Sequence, residues 1–127
     1  QMYAGDGGVM LYMGSVHFRS GRYRESARLL TRLVQQAPSH EEGRANLILA
    51  LARSGRVAQA LEAFRAAGPG GRDSVRLLNA AAYACLLNNL ADEGLPLVQR
   101  SMQLDPDSRE SRDLAAALRQ QAARSDR

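Results

Sequence analysis

The chain has 127 residues, 45% of them apolar and 24% charged, with a formal net charge of +4 and a mean hydropathy of -0.34, values ordinary for one soluble domain with its own core. No apolar run approaches the roughly 18 residues of a membrane span, and a single Cys supports neither an internal disulfide framework nor a Cys-based zinc cluster. All 17 basic residues are Arg, a bias that reads as GC-rich coding rather than a nucleic-acid footprint, and no basic run is interleaved with aromatics, which argues against nucleic-acid binding.

In chain order, residues 1–6 read as a flexible leading segment or the remnant of a longer chain. "GGVMLYMGSVHFRS" then places Met10, Met13, Val16 and His17 or Phe18 at the three-and-four spacing of an amphipathic helix. Gly21 is expected to end it, since a left-handed corner carries no Cβ penalty at glycine. Ala27, Leu30, Leu33 and Val34 form the stripe of a second helix, which Pro38 stops.

The corner phrase "RSGRYRESARLL" returns as "RSGRVAQALEAF", with Gly21 and Gly55 34 residues apart. A further 34 residues lead to Asn89, the usual substitute for glycine at such a corner. Ser26, Ala60 and Gly94 fall in phase as small residues, Leu30, Phe64 and Val98 as bulky ones, and His17, Leu51 and Cys85 share one position. Ala60 and Ala82 are therefore expected to be buried spacers between helices. "AAGPGGRDS" (66–74) predicts a shortened helix followed by a loop, and Pro96 predicts a helix starting late, near Gly94 or Leu95. The remainder reads as one closing helix, N-capped by Asp107 or Ser108, with Leu114, Leu118 and Ala122 on its apolar face.

These units resemble tetratricopeptide repeats, 34-residue helical hairpins, through the corner "GRY" (Gly21–Tyr23) and the closing "LDPDS" (Leu104–Ser108). The repeats span about 7–40, 41–74 and 75–108, and residues 109–127 form a capping helix and tail. Met10, Arg44 and Leu78 stand where the pattern opens on a large aromatic. The resemblance implies an all-α, right-handed superhelix of about seven helices. It also implies a concave groove, lined by the first helix of each hairpin, that grips a protein or peptide partner. Carried over position by position, the groove residues are Leu11, Ser15, Phe18, Arg19, Asn46, Leu49, Arg53, Arg76, Asn79, Tyr83 and Leu87, with Glu42, Ala45, Ala52 and Leu86 beside them. The family's clamp for acidic chaperone tails would fall on Leu11, Ser15, Asn46, Arg76 and Ala80. Only Asn46 and Arg76 have suitable chemistry, so an apolar groove with an Arg fringe is expected instead.

No catalytic, metal or cofactor site is expected. His17 and Cys85 occupy one repeat position two layers apart, too far to share a proton, and His40 reads as a solvated loop residue. The expectation is thus a non-catalytic adaptor with no nucleic-acid partner and no membrane span. A type III secretion-type chaperone and a self-assembling segment of a longer solenoid are the rivals, the second of them a homo-oligomer. A cytoplasmic location is favoured, although a parent chain can carry a targeting signal.

Overall fold

The computed structural model describes residues 7–125, so the expectation for residues 1–6 lies outside it. Three helical hairpins follow one another: α1 (Gly7–Arg19) with α2 (Tyr23–Gln36), α3 (Glu41–Arg53) with α4 (Val57–Arg65), and α6 (Val75–Leu87) with α7 (Ala91–Leu104). Between the second and third lies α5 (Pro69–Arg72), a single turn, and α8 (Arg109–Ser125) closes the stack. No strand occurs among the described residues.

Each corner is built alike. Gly21, Gly55 and Asn89 have φ of 78°, 78° and 59°. The following amide donates back over the corner: Arg22 to the His17 carbonyl (2.8 Å), Arg56 to Leu51 (2.8 Å) and Leu90 to Cys85 (2.9 Å). This is the bond that closes a helix whose next residue is left-handed. A Cβ at Gly21 or Gly55 would meet nothing within 4 Å, so φ and not space selects glycine there.

Helix α3 packs on α2, on its partner α4 and on α6, while α6 packs on α7 and α8. Each layer buries the face its neighbour leaves open, as solenoid repeats must. Met10, Leu30, Leu33, Ile48, Leu78 and Cys85 are fully enclosed in one core; Val98 and Leu118 sit in a second, beneath the cap. Ala60 and Ala82 are wholly buried, as expected. A Cβ at Gly94 would lie 2.9 Å from both Cys85 Cβ and Leu118 Cδ2, which brings α7 against α6 and α8.

Three expectations are corrected. Among the described residues the helices number eight, because Gly68 (φ 66°) reverses the chain and Pro69 begins a turn of helix, α5, where a loop was expected. Helix α7 does not start late: it begins at Ala91, directly after the corner, and Pro96 lies inside it on the exposed face. There the ring removes one amide donor, and its partner carbonyl lies on the side where water can replace it. His40 is no free loop residue: its Nδ1 caps α3 by accepting the Gly43 amide at 2.9 Å.

Arg44 explains its own departure from the aromatic pattern. It is only 6% exposed, and its guanidinium donates to the carbonyls of Ala63 and Pro38, each at 2.9 Å. The short α4 leaves the Ala63 carbonyl without an intrahelical partner, because the Ala67 amide turns to Phe64 instead. The arginine stem fills the aromatic's place, and its head satisfies the carbonyl exposed by the early stop of α4 together with the Pro38 carbonyl in the loop after α2.

Candidate partner-binding groove

The first helices of the hairpins, α1, α3 and α6, line two adjoining hollows of about 190 and 600 Å³. Ser15, Phe18, Arg19, Asn46 and Leu49 surround the smaller one. Phe18, Asn46 and Leu49 continue into the larger, joined by Glu42, Ala45, Arg53, Arg76, Asn79, Ala80 and Tyr83. Ser108 and Glu110, at the start of α8, close its far end. Leu11 and Leu87 lie outside both hollows: Leu11 packs against the core, and Leu87 is exposed at the end of α6.

Helical spacing sets this face. Residues 42, 45, 46, 49 and 53 of α3 follow the three-and-four period and so share one side. The opposite side of α3 is spent on core residues such as Leu47, Ile48 and Leu51.

An aromatic and cationic cluster lies at the hairpin-corner end of the groove. Arg53 Nη2 donates to the Tyr83 hydroxyl at 2.8 Å, and its guanidinium carbon lies 5.7 Å from the Tyr83 ring centre and 6.0 Å from that of Tyr23. Tyr23 meets Phe18 edge-on at 5.2 Å. Arg53 is thereby held between two tyrosines, each a weak cation–π partner. Tyr23 comes from a second helix, lies outside both hollows and reaches them only through Phe18 and Arg53, contacts that sequence reasoning missed. Its signal was an exception in the repeat: Val57 and Ala91 stand at the same place in the next two units.

Asn79 has a double position. It lines the groove yet is 3% exposed, and its Oδ1 accepts from Ser101 Oγ at 2.8 Å. Ser111 Oγ lies 3.1 Å from the same oxygen and 3.0 Å from Ser108 Oγ. This buried polar knot ties α6, α7 and α8 together. Gln121 Nε2 adds a bond to the Leu86 carbonyl at 2.9 Å.

The charged fringe is mixed. Arg19, Arg53 and Arg76 face Glu42 and Glu110, and Arg76 makes only a long, half-exposed ion pair with Glu41, at 3.9 Å, of the kind worth little. Of the five clamp positions, Leu11 and Ala80 offer no polar side chain, and Ser15 Oγ donates to the Leu11 carbonyl at 2.9 Å. Among the described residues no cluster could hold a metal ion, and no helix is long and apolar enough to cross a membrane. Cys85 is fully buried, and His17 Nδ1 accepts from Arg22 Nε at 2.8 Å.

The family model of the bacterial transcriptional activator domain matches residues 9–69, the first two hairpins. No curated protein sequence matches the chain. Among solved structures, the first TPR domain of human RPAP3 superposes with a TM-score of 0.82 at 18% identity, covering 99% of this chain and 98% of that one. The first TPR of Spaghetti (RPAP3), bound to the HSP90 peptide SRMEEVD, gives 0.78 at 19%, covering 94% and 95%. The TPR2B domain of yeast Sti1, in a pHsp70 complex, gives 0.76 at 20%, covering 95% and 99%. The fold is that of a tetratricopeptide-repeat domain.

Proposed function

We propose that the chain is a non-catalytic protein-interaction module whose groove grips an apolar or amphipathic segment of a partner. The cluster of Phe18, Tyr23, Arg53 and Tyr83 carries this reading. It offers aromatic surface at the hairpin-corner end of a concave face, the kind of side chain that anchors an interface, and polar handles that can orient a backbone. Two structures of the same fold hold chaperone-derived ligands, an HSP90 peptide and pHsp70. The poor match at the clamp positions points away from an acidic C-terminal tail as the ligand here.

Affinity capture followed by peptide mapping identifies the segment, and titration of that segment tests the groove. Phe18→Ala or Tyr83→Ala is expected to weaken binding by roughly 1–3 kcal/mol, as anchors do. Arg53→Gln is expected to cost less and chiefly to lower the sensitivity to salt. An arginine variant that loses most of the affinity while both aromatic variants bind normally would mean a charge clamp instead. Self-association that Phe18→Ala abolishes would favour the self-assembling reading.

A second reading follows from the match to the bacterial transcriptional activator domain: the groove would serve contacts made by a transcriptional regulator. Capture of a component of the transcription apparatus would select it. Capture of a secreted protein would select the chaperone reading.

A further inference from the structure

Resting on the groove reading above, we infer that the ligand is a bipartite extended segment of a protein partner. It lays an acidic side chain over α1 and a bulky apolar side chain between α6 and α8. A third hollow, of about 500 Å³, follows the two already described. Tyr83 and Glu110 line both it and the middle one, so the three are continuous. Leu86, Leu114 and Ala117 complete its apolar floor. Leu114 is buried, while Tyr83, Leu86 and Ala117 are half-buried and open to a ligand.

The repeat explains why the closing helix takes part. Ser15, Leu49, Tyr83 and Ala117 are successive counterparts 34 residues apart, and all four line the hollows. Helix α8 thus turns toward the groove the side that α1, α3 and α6 do. Its alanine stands where α3 has leucine and α6 tyrosine, which leaves room for a side chain from outside. Charge changes along the same path. Arg19 lines the first hollow, and no described carboxylate does. In the middle one, Arg53 and Arg76 offset Glu42 and Glu110. At the third, Arg109 meets both Glu110 and Asp113, pairing with Asp113 at 3.9 Å. An acidic side chain is therefore favoured at the α1 end and opposed at the α8 end, where the floor suits an apolar one. Packed helices lie about 8–10 Å apart, so the outer hollows are separated by about 16–20 Å. That is about six residues of extended chain, an even number that turns both side chains to one face. The first hollow, at about 190 Å³, holds a side chain and not a helix roughly 10–12 Å across.

The test uses a serine–glycine peptide of about twelve residues carrying one glutamate and one phenylalanine about six positions apart, in both chain orders, titrated by amide chemical shift. At least one order should bind. A spin label beside its glutamate should broaden α1, and one beside its phenylalanine should broaden α8. Ala117→Glu should lower affinity fivefold or more, whereas Ala116→Glu, on the exposed face of the same helix, should change it less than twofold. With serine in place of the peptide's phenylalanine, Ala117→Glu should make no difference. Arg19→Gln should weaken the glutamate peptide and leave its glutamine counterpart unchanged. Binding that Phe18→Ala weakens and Ala117→Glu does not would overturn the bipartite ligand while the groove reading stands. No binding in either order, equal loss in the two alanine variants, or labels that broaden the opposite ends would overturn it too.

Discussion

Arg44 and Cys85 are the two buried side chains whose chemistry runs against their surroundings. Burial lowers the Arg44 pKa from its usual value, yet an arginine remains charged at neutral pH. Arg44→Met keeps most of the stem and removes both donors, leaving the Ala63 and Pro38 carbonyls unpaired. The expected cost is about 2–4 kcal/mol, read as a lower urea midpoint at constant slope. Cys85 behaves oppositely: burial, then the charge of Glu93, push its thiol up to about 11. It is therefore neutral at pH 8, and alkylation by iodoacetamide should be slow in the native protein and fast after denaturation. The sign for stability follows. With the folded pKa raised, the contribution is intact below the unfolded value near 8.5 and is lost as pH rises toward 11. Melting temperature should fall over that alkaline window, and Cys85→Ala should blunt the fall. Of these two residues, Cys85 was legible as a small buried hydrophobe. Arg44 was legible only as a departure, because a carbonyl freed by a neighbouring helix's early stop leaves no mark in the local pattern.

At the scale of the elements, repetition made the hairpins readable: one corner recognised at Gly21 predicts those at Gly55 and Asn89. Interruptions of the pattern were harder. Proline at position 96 suggested a late start, but the corner bond from Leu90 to Cys85 and the burial of Ala91 and Gly94 hold the first turn of α7 helical ahead of it. Tertiary packing outweighs a local penalty. Pro96→Ala restores an amide donor in the helix but frees the unfolded chain, which offsets part of the gain. A net stabilisation of about 1–2 kcal/mol is expected from the roughly 3 kcal/mol that an interior proline costs. Chemical denaturation checks it, and no change would mean that α7 is already bent to accommodate the ring.

At the scale of the molecule, the face on which a groove would lie was readable from helical period, but the contacts at its corner end were not. Tyr23 meets Phe18 across the corner of its own hairpin, and Arg53 only once two hairpins have stacked. The polar knot at Asn79 joins residues 22 and 32 positions apart, beyond any local signal. Asn79→Ala should remove the acceptor that anchors the cap and cost roughly 1–3 kcal/mol. Amide exchange should then rise in α8 before it rises in α3, since repeats report first to their neighbours.

The layers touch only the layers beside them, with one groove running over all three. Such a stack behaves as a short spring, with its softest motion a change of pitch that opens or narrows the concave side. A segment seated across α1, α3 and α6 would load that spring at every coil and stiffen it. Binding would then register far from the contact, as slower exchange along the backs of the hairpins, and a segment spanning two coils would leave the third compliant.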